Sequence, residues 1–210
     1  MSLPASSSNS KKIYTIFLAL LSWVAVIWQL SLSTGSASNF FSYFTIESNL
    51  LIAIALTCLL LFSSTGVGRF FSRTSVLSAI ALYIFIVGLV YNTVLRGINH
   101  LTPWEPSWIV DNLLHVVVPL LYVIYWIFFV PKGVLHWKDG IPWLIFPFVY
   151  LVYSLVRGAM VNWYPYPFLN ADKLGYAKVS LNIVGMILAF LLAGLLLIGI
   201  DRSMKKVKGN

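Results

Sequence analysis

Charge is scarce in this sequence. Only 10% of the 210 residues are Asp, Glu, Lys or Arg, while 60% are hydrophobic. An ordinary soluble domain is about a quarter charged, and a chain this apolar could not hide its hydrophobic surface from water. The shortage of charge therefore excludes an ordinary soluble domain and favours a protein whose solvent is lipid.

Cysteine is limited to Cys58, which excludes an intrachain disulfide and a cysteine-based metal cage. Of the three histidines, His100 and His136 fall in connectors on opposite faces of the expected membrane, so they cannot form one metal site with His115. A zinc site built from His100, Asp111 and His115 is an alternative. We expect neither a metal nor a cofactor.

Several familiar motifs are absent. The sequence has no G-x-S-x-G elbow, no H-E-x-x-H pair and no glycine-rich phosphate loop. It also has no internal repeat, so a transporter built from inverted halves is not indicated. The net charge of +8 is not arranged as a basic stripe with interleaved aromatic residues. We therefore expect no nucleic-acid partner.

Long apolar runs are what the sequence has in abundance. Six of them approach or exceed the roughly 20 residues that a helix needs to cross a bilayer. They cover residues 13–32, 40–62, 76–95, 109–130, 141–156 and 179–200. The first run is longer than the 7–15 apolar residues of a signal peptide, so it is kept as a span. This pattern predicts an all-α, polytopic membrane protein with six transmembrane helices.

The polar ends define the expected domain organisation. Residues 1–12 are predicted to be a disordered polar tail, residues 13–200 a six-helix transmembrane domain, and residues 201–210 a basic cytoplasmic tail. No connector is long enough to form a soluble domain.

Lys and Arg are distributed unequally between the two sides of the predicted bundle. Ten of the fourteen lie on the side of the termini: Lys11, Lys12, Arg69, Arg73, Lys132, Lys138, Arg202, Lys205, Lys206 and Lys208. The positive-inside rule then places both termini in the cytoplasm. We expect a multi-pass protein of the cell membrane.

A set of polar and ionisable residues lies in the outer halves or at the outer ends of the spans, on the side opposite the termini. They are Thr45, Glu47, Ser48, Asn49, Asn92, Arg96, Asp111, Asn112, His115, Tyr153, Arg157, Lys178 and Asn182. Polar and ionisable groups are costly in a membrane and mark functional sites by default. The pattern therefore predicts one polar pocket in the outer leaflet.

His115 is the first candidate for chemistry. It could be a general base, because imidazole titrates near neutral pH, or simply a hydrogen-bonding residue between helices. Asp111 lies four residues earlier and shares its helix face. It could orient the imidazole or merely stand at the entrance of the helix.

Other polar side chains also allow two interpretations. Thr45 could be a nucleophile, or it could bond back to its own helix, as membrane threonines usually do. Glu47 competes with it as a carboxylate or proton carrier. Arg96 and Arg157 could snorkel to the interface or hold a lipid carboxylate or phosphate.

Three stretches together resemble a known family. They are residues 43–50 (YFTIESNL), residues 115–119 (HVVVP) and residues 164–169 (YPYPFL). In this order, on six spans, they are similar to the androgen-induced-protein family and its bacterial six-helix relatives. Eukaryotic members of that family are intramembrane threonine hydrolases that cleave fatty-acid esters of hydroxy fatty acids.

The resemblance assigns roles to two residues. The family's nucleophilic threonine matches Thr45, and its catalytic histidine, which precedes a proline in the fourth span, matches His115. Pro119 follows His115 by four positions, whereas the eukaryotic pattern has one more residue between them. The stretch formed by residues 47–49 is typical of the bacterial branch, for which the resemblance gives no substrate.

We therefore expect an intramembrane lipid-ester hydrolase that acts on a lipid or fatty-acid ester. The alternative is a non-enzymatic lipid-binding or small transport protein with the same polar pocket. The supporting residues are predicted to be Asp111, Asn49, Asn112, Asn92 and Glu47, with the three asparagines as candidate oxyanion donors. The substrate-binding residues are predicted to be Arg96, Arg157, Tyr153 and Asn182.

Overall fold

The computed structural model describes residues 5–97 and 101–205, and these residues form helices without any strand. Six helical segments are long and apolar enough to cross a membrane. They are Asn9–Leu32, Phe44–Leu61, Thr74–Leu95, Pro106–Phe129, Trp137–Val161 and Ala171–Ser203. The predicted all-α, six-span membrane fold is therefore confirmed.

The α-helices are numbered in chain order. They are α1 (Ala5–Leu32), α2 (Ala37–Phe40), α3 (Phe44–Leu61), α4 (Gly66–Phe71), α5 (Thr74–Val90), α6 (Pro106–Asn112), α7 (Val118–Phe129), α8 (Gly140–Trp143), α9 (Ile145–Val161) and α10 (Ala171–Ser203). Two π-helical turns, Tyr91–Leu95 and Leu113–Val117, follow α5 and α6. Two short 3₁₀ turns cover Trp137–Asp139 and Pro167–Leu169.

The two terminal helices extend past the apolar runs that predicted them. Helix α1 already begins at Ala5, inside the segment expected to be a disordered tail, and α10 continues to Ser203. Once a span has nucleated a helix, adding polar residues at its end costs little. At the start of α10, Gly175 has a φ of +74° and breaks the helix, so the first turn is offset from the span.

The described chain forms two compact units. The first contains residues 5–34, 45–97 and 101–131, and the second contains residues 35–44 and 132–205. The single six-helix domain expected for residues 13–200 stays a prediction.

In the first unit, α5 packs against α7, and α1 packs against α6 and α7. Polar groups join these helices. Trp126 donates its indole N–H to the Ser78 hydroxyl at 2.8 Å, and the Tyr14 hydroxyl donates to the Leu121 carbonyl at 2.9 Å. Such bonds help to hold helices together where lipid provides no hydrophobic driving force.

In the second unit, α8 contacts both α9 and α10. Gly158 of α9 has no side chain, and the Tyr164 ring takes that space, since a Cβ atom on Gly158 would lie 2.1 Å from the ring. The Tyr150 hydroxyl donates to the Ser42 carbonyl at 2.9 Å, which ties α9 to the segment after α2.

Candidate active site

The candidate active site is built around the two π-helical turns of the first unit. The first is closed by a bond from the Arg96 N–H to the Tyr91 carbonyl at 2.8 Å. The second precedes Pro119, which has no N–H and whose ring would clash with the carbonyl four residues earlier, that of His115. Gly88 leaves room for that carbonyl, because a Cβ atom on Gly88 would lie 3.3 Å from it. π-Helical turns occur frequently at functional sites.

Thr45 is the second residue of α3, and only 6% of its surface is exposed. Its hydroxyl oxygen lies 3.2 Å from Nε2 of His115, which belongs to the second π-helical turn. The structure therefore brings together the two residues that the sequence singled out as nucleophile and base.

The other ring nitrogen of His115 faces only acceptors among its bonded neighbours. Nδ1 lies 2.8 Å from the backbone carbonyl oxygen of Asp111 and 3.2 Å from its carboxylate oxygen Oδ1. Both oxygens accept, so Nδ1 is assigned the proton of the neutral ring, and Nε2 can accept the hydroxyl proton of Thr45. This is the tautomer that a general base requires.

Tyr91 completes the site, and the sequence analysis missed it. Its hydroxyl donates to Oδ2 of Asp111. Its ring is stacked on the His115 imidazole, with 4.0 Å between centroids and 17° between planes. Tyr91 is 3% exposed. The only signal in the sequence was its position beside Asn92, at the polar outer end of the third span.

Asn49 is completely buried, and its amide is committed to the framework of the site. Nδ2 donates to the Thr45 carbonyl at 2.8 Å and to the Leu114 carbonyl at 3.2 Å. Both amide hydrogens are thereby engaged, so Asn49 ties the start of α3 to the turn that carries His115. Its role as an oxyanion donor stays a prediction.

Arg96 is held by the other two asparagines. It donates to Oδ1 of Asn92 at 2.8 Å and to Oδ1 of Asn112 at 3.2 Å. The amide of Asn92 donates to the Gly88 carbonyl and that of Asn112 to the Trp108 carbonyl, both at 2.8 Å. Arg96 is exposed. The predicted supporting residues therefore orient a cation at the end of the third span.

Glu47 and Ser48 occupy the first turns of α3, next to Thr45. Glu47 lies near the positive end of the helix dipole, which stabilises a carboxylate. Ser48 is 1% exposed, and within residues 5–97 and 101–205 its hydroxyl has no hydrogen-bond partner.

Arg157 lies in the second unit. Its Nη2 donates to Oδ1 of Asn39 at 2.6 Å and to the Ser38 hydroxyl at 3.1 Å, and its guanidinium lies 4.8 Å from the centre of the Trp163 ring. Nη1 is buried, and within the described part of the chain it has no hydrogen-bond acceptor.

Tyr153 and Asn182 also belong to the second unit. The Tyr153 hydroxyl lies 2.7 Å from the Ser42 hydroxyl. Asn182 donates to the Phe168 carbonyl at 2.8 Å and thereby anchors the 3₁₀ turn before α10. A common pocket for these two residues, Arg157 and Thr45 stays a prediction.

The described residues hold no group of three His, Cys, Asp or Glu side chains that could bind a metal ion, and His100 lies outside them. What the first unit does assemble is a hydroxyl, an imidazole oriented to accept its proton, and a carboxylate behind the imidazole. Comparisons with protein-family models, with curated proteins and with solved structures find no match to this chain.

Proposed function

We propose that the protein is an intramembrane hydrolase of lipid carboxylic esters, with Thr45 as nucleophile and His115 as general base. The observation that carries this proposal is the 3.2 Å contact between the Thr45 hydroxyl and Nε2 of His115, whose Nδ1 is held by Asp111. A nucleophile in contact with a base that a third group orients is the usual signature of covalent catalysis.

The reaction runs in two steps. Nε2 of His115 takes the hydroxyl proton of Thr45 while Oγ1 attacks the ester carbonyl carbon. The tetrahedral intermediate expels the alcohol, which leaves with the proton from His115, and an acyl-threonine ester remains. Water then attacks this ester with His115 again as base, releasing the carboxylic acid and restoring Thr45.

Backbone N–H groups at the start of α3 are suitable donors for the oxyanion. The first four N–H groups of an α-helix have no acceptor within the helix, and the helix dipole favours negative charge there. Thr45 and Ile46 contribute two of these N–H groups, as the second and third residues of α3. We assign the oxyanion to these N–H groups, because the amides of Asn49 are engaged elsewhere.

We propose fatty-acid esters of hydroxy fatty acids as the substrates, in agreement with the family resemblance. Such a substrate has two apolar chains for the membrane, one ester and one free carboxylate. Arg96 is exposed, and two amide oxygens orient its guanidinium. We therefore assign Arg96 to bind the free carboxylate of the substrate. We further propose that the enzyme resides in the cell membrane and takes its substrate from the outer leaflet.

A fluorophosphonate probe tests the proposal on purified protein. The probe should label wild-type protein at Thr45, located by mass spectrometry of the modified peptide, and labelling should disappear in Thr45→Ala. Labelling of Ser48 in wild-type protein would assign the nucleophile to that neighbour instead. The absence of any adduct, together with no hydrolysis of a fatty-acid ester, would contradict the hydrolase proposal.

A lipid-binding protein without turnover is the second candidate. It is favoured by Arg157, whose Nη1 is buried without an acceptor in the described part of the chain and could therefore bind an anionic headgroup. Saturable binding of a fatty acid that is lost in Arg157→Gln, with no ester hydrolysis, would select this function over the first.

A further inference from the structure

A cavity lies in the second unit, against the end of the last span. Its volume is about 370 Å³, and it is lined by Gly133, Val134, Leu135, His136, Arg202 and Lys205. Cavities of about 300–1,000 Å³ are typical of small-molecule sites. It lies at the C-terminal end of α10, which runs from Ala171 to Ser203.

The charges at this cavity are unbalanced. Among residues 5–97 and 101–205, neither Arg202 nor Lys205 has a carboxylate partner, and both are exposed. The nearby Asp201 is fully buried and interacts with Lys132, whose pKa is lowered to about 8 because its burial outweighs the attraction of that carboxylate. Within the described part of the chain, these two cations therefore have no counter-charge.

A second nearby carboxylate is also engaged. Asp139 accepts the backbone N–H of His136 at 2.7 Å, and its Oδ2 lies 3.8 Å from the His136 ring nitrogen Nδ1. Beyond Lys205, the sequence continues with two more lysines, Lys206 and Lys208. The sequence that follows α10 therefore adds positive charge.

Basic residues at the end of a helix can also serve only to bond its last carbonyls. Here two of those carbonyls, of Ile200 and Arg202, already accept hydrogen bonds from other groups. The Met204 N–H and the Ser203 hydroxyl bond the Ile200 carbonyl, and the Lys205 N–H bonds that of Arg202. The Arg202 guanidinium instead lies 5.5 Å from the Trp137 ring and makes a long contact of 3.5 Å to the Leu135 carbonyl. Helix capping therefore does not account for these two side chains.

The loop that faces the cations has a defined shape. Gly133 has a φ of +78°, and a Cβ atom there would lie 2.7 Å from Cα of Lys205, so only glycine lets the loop approach so closely. Next to it, the Leu135 N–H donates to Oδ2 of Asp201 at 2.9 Å. The cavity is therefore held from both sides, by the loop and by the end of α10.

We propose that this cavity binds a phosphate group through Arg202 and Lys205. A planar guanidinium and an ammonium group are the two side chains that proteins use to bind phosphate. A basic pocket at the membrane boundary matches the headgroup of an anionic phospholipid. A soluble phosphate presents the same chemistry. The lipid is favoured because Val134 and Trp137, at 50% and 53% exposure, offer apolar surface beside the cations.

The test uses full-length protein in phosphatidylcholine nanodiscs, with phosphatidylglycerol added in increasing amounts and counted by native mass spectrometry. Wild-type protein should bind phosphatidylglycerol saturably. Each direct hydrogen bond from a cationic side chain to a bound phosphate contributes more than about fivefold to affinity. The Arg202→Gln/Lys205→Gln variant should therefore bind at least fivefold more weakly.

The matched control is Arg69→Gln/Arg73→Gln, which removes two exposed charges expected on the same membrane side. The affinity of this control variant for phosphatidylglycerol should stay within about twofold of wild type. The reason is that the proposed site, and not the total charge on this membrane side, determines binding. Arg202→Lys/Lys205→Arg keeps both charges and should retain binding. Equal weakening in the two Gln variants would overturn the proposal.

A second arm identifies the source of the phosphate. Equilibrium dialysis with labelled inorganic phosphate, in nanodiscs that contain only phosphatidylcholine, measures binding without an anionic lipid. Phosphate binding that requires Arg202 and Lys205, with no preference for phosphatidylglycerol, assigns the site to a soluble phosphate. If neither probe depends on these two residues, the cavity is not a phosphate site.

Discussion

Thr45 differs from other threonines of the first unit in where its hydroxyl can bond. Thr15, Thr57 and Thr93 each donate to the carbonyl four residues earlier, at 2.7 Å. Thr45 is the second residue of its helix, so the carbonyl four residues before it lies outside that helix. The beginning of a helix therefore allows a threonine hydroxyl to approach His115, whereas a mid-helix position favours a bond to its own backbone.

Substitutions at the pair should separate nucleophile from base. Thr45→Ser keeps the oxygen and should retain measurable hydrolysis of a fatty-acid ester. Thr45→Ala and His115→Ala should each lose at least about 10²-fold in kcat. The double variant should be little worse than either, because the two residues act as a unit. All variants are compared after gel filtration and thermal melting show that they are folded.

Unchanged hydrolysis by folded Thr45→Ala would exclude Thr45 as the nucleophile. Ser48, the buried neighbouring hydroxyl, would then be the residue to replace.

Tyr91→Phe should lower kcat about tenfold with KM within about threefold, because it removes one hydrogen bond to a charged group and keeps the stacked ring. Tyr122→Phe is the matched control. It also deletes a buried hydroxyl of the first unit, one that donates to the Leu77 carbonyl at 3.2 Å, and it should leave kcat unchanged. Equal loss in both variants would show that Tyr91 acts only through stability.

The sequence could indicate Thr45, His115 and Asp111, because an i,i+4 pair shares a helix face and a short motif surrounded the threonine. It could not indicate Tyr91, whose contacts with His115 and Asp111 form between different helices. It also could not show that the Asn49 amide would bond two backbone carbonyls. Residue type gives the capacity to hydrogen-bond, whereas packing decides the partner.

At the scale of elements, the packing of α5 against the second π-helical turn determines the position of His115. Gly88 lies at this contact, and a Cβ atom there would be 3.3 Å both from the His115 carbonyl and from Cβ of Pro119. Any larger side chain must push the two segments apart.

Gly88→Val should therefore destabilise the protein by about 1–3 kcal/mol, the usual cost of overpacking. It should also reduce ester hydrolysis, because His115 moves with the turn. Gly185→Val is the control, since a Cβ atom at Gly185 of α10 meets nothing within 4 Å. Thermal melting measures the change in stability, and ester-hydrolysis assays measure the change in rate, in both variants. Wild-type rates in Gly88→Val would mean that the close contact does not hold the imidazole in place.

The spans themselves were predictable from apolar runs, because lipid requires about 20 such residues in a row. The ends of the spans and the two π-helical turns could not be predicted from these runs. Hydropathy does not distinguish a polar residue that continues a helix, as residues 9–12 do, from one that ends it. Hydropathy also does not reveal a π-helical turn, because the residues of such a turn are as apolar as those around it.

At the scale of the whole molecule, the distribution of Lys and Arg predicts cytoplasmic termini. The buried single cysteine makes this testable, since Cys58→Ala gives a background without thiols. In that background, Ser36→Cys should react with an impermeant maleimide on intact cells, while Ser203→Cys should react only after permeabilisation. Both serines are exposed, so accessibility within the protein does not decide the result. The reverse labelling pattern would refute the orientation.

The π-helical turn at Leu113–Val117 also affects how the length of the fourth span, Pro106–Phe129, can vary among sequences. In a continuous α-helix, inserting or deleting one residue rotates everything beyond it by about 100° and turns a buried face towards lipid. A π-helical turn absorbs a single-residue insertion locally. A sequence pattern meant to find relatives of this chain therefore needs a variable gap between the histidine and the proline.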